Sequence, residues 1–146
     1  GDKEAIAYLK KLRINPGVVP STYLNQGAAK AWSEDTHTEN RRAVFARKRD
    51  ILAEFLASEN LECRASTASF YLWVRAPGGL SGEKYAMWLL NHGIVVAPGA
   101  FFGQAQSAEN FVRIALVPGI EECKEALGPW KEAHREMREA LNSWTN

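Results

Sequence analysis

Metal ligands and disulfide partners are scarce in this chain. It has two cysteines and three histidines in 146 residues. Cys63 and Cys123 stand far apart and in no CxxC pattern, so neither a zinc ribbon nor a disulfide framework is indicated. They read as small buried hydrophobes in a reduced, cytoplasmic protein. The histidines, His37, His92 and His134, fall singly at a helix entry, at a helix exit and on a polar helix face, and none has a second ligand at metal spacing. Net charge is nearly absent too: +1, which gives no overall field to recruit nucleic acid or an anionic membrane. No apolar run approaches the roughly 20 residues that span a bilayer. Nor is there a GxSxG elbow, a Walker loop or a dinucleotide-type glycine spacing. The first ten residues read as a charged helix and not as a signal peptide.

What is present is helical first and alternating later. Asp2 can cap a helix whose Ile6, Leu9 and Leu12 lie on one stripe, ended by Asn15-Pro16-Gly17. Pro20 and Ser21 start an Ala-rich helix to about Trp32. Thr36 and Glu39 form a capping-box pattern for a long helix to about Ser58. Its seam is Val44, Phe45, Ile51, Leu52, Phe55 and Leu56, interrupted by Lys48. The basic cluster Arg41, Arg42, Arg47, Lys48 and Arg49 shares the helix with Glu39, Asp50 and Glu54, which makes a solvated, ion-paired face the better reading than a nucleic-acid site.

After Leu61 the period becomes two. Phe70, Leu72 and Val74 fall on one face of a strand, with Tyr71, Trp73 and Arg75 on the other. Ser81 can cap a helix carrying Tyr85, Trp88 and Leu89, stopped by Gly93. Residues 94–97 read as a short buried strand, and Pro98-Gly99 turns it into Phe101-Phe102-Gly103. Gly128-Pro129 is expected to break or kink the last helical region, beyond which Trp130, Met137, Leu141 and Trp144 form a stripe. The expected fold is α+β: a small, mostly antiparallel sheet packed by helices and preceded by helices.

One residue resists this pattern. In the strand around residues 111–117, Val112, Ile114 and Leu116 are plainly core, but Arg113 sits on the other face between Phe111 and Ala115. Either that face is wet, or the guanidinium is opposite an anion, since an unpaired buried charge costs several kcal/mol. The acid near it in sequence is Glu109, and an external carboxylate would suit its planar fork. Spacing alone leaves both readings open.

Three segments in order, SFYLWVR (69–75), IVVAPGAFFG (94–103) and FVRIALV (111–117), resemble the C-terminal part of the class I and II, fold-type-I aminotransferases, which use pyridoxal phosphate. Arg47, Lys48, Arg49 and Asp50 resemble that family's linker between large and small domains. The resemblance runs from about Gly1 to Leu127, and the stretch AAKAWSEDTHTENRR (28–42) is most similar to the succinyldiaminopimelate aminotransferases of bacterial lysine synthesis. It implies that residues 1–35 end the large cofactor domain, that 36–60 form an inter-domain linker helix, and that 61–146 make the small C-terminal domain. It further implies that Arg113 grips the α-carboxylate of an amino or 2-oxo acid, with Phe70 near the substrate. Ala68-Ser69 stands where the family usually has a glycine-containing pair. A homodimeric, cytoplasmic enzyme without nucleic-acid or membrane partners is implied.

The family's Schiff-base lysine, in an SxxK motif followed by an arginine for the cofactor phosphate, has no counterpart in the expected order. Lys84 follows Ser81 at that interval, but after the linker. The chain opens Gly1-Asp2 without methionine, where the family's GD stands just past those motifs. The expectation is a C-terminal piece of the enzyme, inactive alone and with no catalytic residue or bound cofactor of its own. The competing readings are a freestanding α+β module that binds a small carboxylate through Arg113, and a structural domain with Arg113 solvated.

Overall fold

The computed structural model describes residues 1–17, 19–64, 67–103 and 108–143. The chain divides into two compact units, Gly1–Glu39 and Asn40–Asn146. The first contains α1 (Lys3–Ile14) and α2 (Thr22–Trp32). The Asp2 carboxylate caps α1 by accepting from the Ala5 N–H at 2.8 Å. Ser21 occupies the cap position of α2 but makes no side-chain cap bond. No residue of α1 or α2 is buried, and the stripe Ile6, Leu9 and Leu12 is exposed. The helix α3 (Thr36–Ser58) starts at Thr36, so Asp35, whose carbonyl accepts from the Glu39 N–H at 2.9 Å, stands ahead of it in place of the expected threonine cap.

The second unit is built on an antiparallel sheet of β1 (Cys63–Arg64), β2 (Tyr71–Arg75), β3 (Ala97–Pro98) and β4 (Phe111–Ala115), in the order β1-β2-β4-β3. Around it lie α4 (Gly82–Asn91), α5 (Ile120–Glu125) and α6 (Leu127–Ser143). This is the α+β architecture expected from the change of period. Leu72, Val74, Val112, Ile114 and Leu116 form the buried face of the sheet, joined in one core by Leu52, Phe55 and Leu56 of α3, Tyr85 and Leu89 of α4, and Trp130 and Met137 of α6. The α4 helix ends as its glycine requires: Gly93 has φ +78°, its N–H donates to Leu90 O, and the Ile94 N–H reaches back to Leu89 O.

Several expectations need correction. Phe70 lies outside β2, although its carbonyl still accepts from the Leu116 N–H at 2.8 Å. It precedes β2 and is exposed, and Ser69 just before it takes φ +75°. The strand expected over residues 94–97 shrinks to Ala97–Pro98, with Val95 exposed. Gly128-Pro129 does not interrupt a helix. The break comes earlier, at Ala126, and Pro129 falls in the first turn of α6, where its missing N–H would lack a helical partner anyway. Trp130 and Met137 are buried as the stripe requires; the Leu141 side chain and Trp144 lie outside the described residues.

Two polar groups that read as solvated in the sequence are buried. Lys48 leaves the basic face of α3 and donates to the carbonyls of Leu116 at 3.1 Å and Val117 at 3.4 Å, just past the end of β4. Its ammonium also lies 5.0 Å from the centre of the Phe45 ring. These carbonyls continue the chain beyond the strand ladder, and the ammonium satisfies them while tying α3 to the sheet. His134 is the second. Its Nδ1 faces the Glu59 carboxylate at 3.2 Å and its Nε2 faces the Tyr85 hydroxyl at 2.7 Å, while Trp130 Nε1–H donates to Tyr85 Oη at 2.9 Å and to His134 Nε2 at 3.1 Å. The Glu59 carboxylate also accepts from Arg138 at 2.8 Å.

A carboxylate cannot donate, so the proton sits on Nδ1 and Nε2 accepts. Burial is the main influence on His134 and holds it below the ordinary histidine value, with the bond to Glu59 pulling the other way. Burial likewise pushes the Tyr85 hydroxyl up. On Glu59, burial acts upward but the bonds from Arg138 and His134 overcome it and leave the carboxyl lowered. His92 is shifted the opposite way from His134, raised first by the Trp88 carbonyl at 2.9 Å and then by Glu136 at 3.1 Å.

The signs follow by linkage. Stability from a neutral His134 is present above the ordinary value of 6.5 and is lost as pH falls through its lowered pKa, whereas that from protonated His92 is present below 6.5 and is lost as pH rises through its raised one. An NMR titration is expected to place His134 below and His92 above 6.5, and the reverse order would contradict these contacts. At Ser69 a left-handed backbone costs an L-residue about 1–2 kcal/mol. Ser69→Gly is therefore expected to raise stability by about 1 kcal/mol, read as a higher urea midpoint at unchanged m-value.

Candidate functional site

The site is assembled on the sheet face turned away from the main core. Arg113 lies in the middle of β4, registered against Trp73 on one side and Ala97 on the other. Residues opposite one another in a ladder share a face, so Tyr71, Trp73, Arg75, Phe111 and Arg113 all project together. Two glycines let other backbone segments approach the start of this strand. A Cβ on Gly82 would fall 1.9 Å from Phe111 O, and one on Gly99 would fall 2.3 Å from Ala108 O. The Gly99 approach brings the turn Gly99–Phe102 onto the strand and with it the Phe102 ring.

The Arg113 guanidinium is held between two rings. Its Cζ lies 3.8 Å from the centre of Phe102 and 4.1 Å from the centre of Tyr71. Each such contact is worth about 0.5–2 kcal/mol. Trp73 supports the arrangement, packing edge-on to Phe102 with ring centres 6.3 Å apart and stacking on Phe111 at 5.6 Å. Arg113 is only partly exposed, and its Nε is buried without a hydrogen-bond partner among the described residues.

Two other arginines on this face show the contrast. Arg64 and Arg75 lie over the Phe111 ring at 5.0 and 4.7 Å, and both pair with Glu62, which accepts from Arg75 Nε at 2.6 Å and from Arg64 Nε. Those bonds, the Arg64 one foremost, hold the Glu62 carboxyl below its ordinary value. Arg113 has ring faces where they have a carboxylate. Among the described residues no acid pairs with it, and Glu109 serves the fold through its backbone instead, its carbonyl accepting from the Gly82 N–H. A guanidinium directs its N–H groups within its plane, so ring faces above and below stabilise the charge without consuming donors. The arrangement suits a planar anion arriving at the edge: a carboxylate.

Phe70, the other residue singled out by sequence, is one ring removed. It contacts Tyr71 with centres 4.4 Å apart and Phe45 of α3 at 5.8 Å. Together with Phe45, Ser69, Arg42 and Arg49 it lines a cavity of about 620 Å³, whereas Arg113 is not part of that wall. Tyr71 thus touches both Phe70 and Arg113. Sequence reasoning names Phe111 and Ala115 as the neighbours that matter and notes Phe102 as aromatic and nearby. It misses Tyr71, whose signal is its place on the same strand face as Trp73. Lys84 sits in the first turn of α4, its N–H bonded to Ser81 Oγ at 3.3 Å. No cluster of potential metal ligands occurs among the described residues, and no described helix is long and apolar enough to cross a membrane.

The sequence profile of the family described as aminotransferase class I and II matches residues 1–128. The LL-diaminopimelate aminotransferase of Dehalococcoides mccartyi is 32% identical over 130 residues, covering 87% of this chain and 33% of that protein. A probable N-succinyldiaminopimelate aminotransferase from Thermus thermophilus superposes with a TM-score of 0.75 at 30% identity, covering 91% of this chain and 36% of the other. An aminotransferase from Staphylococcus aureus superposes at 0.83 with 27% identity, covering 92% and 36%. The chain spans about a third of the length of the curated relatives it matches. With a profile match over most of its length and the small antiparallel sheet of those structures, the chain belongs to the class I and II aminotransferase family.

Proposed function

We propose that this chain is the C-terminal part of a pyridoxal-phosphate-dependent aminotransferase that moves an amino group between an amino acid and a 2-oxo acid, and that Arg113 binds the substrate α-carboxylate. The carrying observation is the Arg113 guanidinium itself, held between Tyr71 and Phe102 with a buried Nε that no described residue occupies. Charge-assisted bonds from such a fork contribute roughly 1.5–3 kcal/mol each. A carboxylate fixed at two points also fixes the direction of the Cα–H bond, which is what the chemistry needs from this part of the enzyme. Phe70, one ring away, would line the approach to the same substrate.

In this reading residues 1–35 close the large cofactor domain, 36–60 form the linker helix and 61–146 are the small domain. The exposed stripe Ile6, Leu9 and Leu12 supports it, since an apolar helix face of that kind belongs against a larger body. The family implies pyridoxal phosphate in the intact enzyme. Seating it takes an amine for the Schiff base, an acid for the ring nitrogen and donors for the phosphate. The groups gathered at Arg113 are aromatic rings and one cation, and they do not make up that seat; this chain's share is to hold and orient the substrate. The names of the two diaminopimelate-type relatives support an amino-dicarboxylic substrate, and the whole enzyme would be a cytoplasmic homodimer.

Arg113→Lys in the intact enzyme is expected to lower kcat/KM about 10- to 100-fold for every amino-acid donor, because a point charge cannot replace the fork. An unchanged value would remove Arg113 from the substrate site. Incubating the 146-residue protein with pyridoxal phosphate and borohydride is expected to label no single lysine stoichiometrically. One lysine labelled to completion would put the Schiff-base residue inside this chain and contradict the reading.

A further inference from the structure

We propose that Tyr71 and Phe102 are positioning residues: the two ring faces fix the plane of the Arg113 guanidinium so that its N–H edge, and not its face, meets the incoming carboxylate. The inference rests on the reading of Arg113 as the carboxylate-binding residue and adds what sets its orientation.

An arginine side chain has four rotatable bonds, and a bidentate contact demands one plane. Ordinarily an acid of the same protein sets that plane, as Glu62 does for Arg64 and Arg75. An acid at Arg113 would occupy the edge that the substrate must use and would have to be displaced at each turnover. Ring faces escape that conflict, because they attract the cation along the perpendicular and leave the edge alone. Centroid distances of 3.8 and 4.1 Å leave no room for a water layer on either face.

Each ring is itself held by other parts of the fold. Tyr71 opens β2, registered against Ala115, and packs on Phe70. Phe102 ends the turn that Gly99 brings onto β4, and it packs against Trp73. One ring thus comes from β2 and the other from the turn after β3, the two strands that pair with β4 on its opposite edges. Moving that turn would move one wall of the clamp.

In the intact enzyme, Tyr71→Leu and Phe102→Leu are each expected to raise KM about tenfold for every donor alike, with kcat changed less than about threefold. Restoring a ring, as Tyr71→Phe or Phe102→Tyr, is expected to recover most of that loss, which a role in mere packing does not require. In an Arg113→Lys background the same leucine substitutions should cost less than about twofold, since the fork they orient is gone. Leucine variants with parental KM, alongside an impaired Arg113→Lys, would overturn the positioning role and leave the carboxylate reading intact. An unimpaired Arg113→Lys would overturn both. If the leucine variants fail to fold, the NMR spectrum of the 146-residue protein decides. Two flanking rings should shift the Arg113 δ-methylene resonances strongly upfield, and ordinary arginine positions would overturn the clamp.

Discussion

A permanent charge in the middle strand of a sheet has to be stabilised by something, and the choice of partner decides what the charge can still do. At Arg113 the partners are the faces of Tyr71 and Phe102. On the same face, Arg64 and Arg75 solve the same problem with Glu62, which accepts from the Nε of each. The difference between Arg113 and the other two arginines on this face is therefore a difference in partner chemistry, a quadrupole against a carboxylate. The rest of the unit serves that difference. The glycines at 82 and 99 admit neighbouring backbone to the strand, Trp73 backs Phe102, and the apolar face beneath keeps β4 fixed.

Other buried polar groups follow the rule in its conservative form. Lys48 spends its donors on two carbonyls beyond the strand end, and His134 shares its two nitrogens among Glu59, Tyr85 and Trp130. These arrangements tie α3, α4 and α6 together around the core, and each is satisfied within the chain. Set beside them, the buried Nε of Arg113 is an exception, and an exception in a polar atom's accounting is where function is most economically sought.

Much of this is legible in residue order. The alternation of Val112, Ile114 and Leu116 is a two-residue signal strong enough to fix which face of β4 is core, and the α+β architecture follows from the change in period after Leu61. Periodicity carries the strand through Phe70, whereas β2 begins at Tyr71 and Ser69 ahead of it has a left-handed φ that no side-chain pattern reveals. Lys48 interrupts a helical seam and reads as solvated. Its burial depends on carbonyls 68 and 69 residues away. His134 is a different kind of miss. It falls four residues after Trp130 and three before Met137, so it lies on the buried stripe, and its polarity conceals a position that periodicity gives away. The clamp around Arg113 needs the antiparallel register of β2 on β4 and the fold of the 99–102 turn, neither of which is local in sequence.

The chain belongs to the class I and II aminotransferases, and the part proposed for it is a partly buried cation between two rings, with a side-chain nitrogen that no described residue bonds. The most direct measurement is a crystal structure of the intact enzyme with a 2-oxo acid bound. The account predicts both oxygens of the α-carboxylate within about 3 Å of Arg113 nitrogens, with the guanidinium still between Tyr71 and Phe102. A carboxylate held by other cations, such as Arg42 or Arg49, with Arg113 solvated or paired to an acid of its own chain, would contradict it.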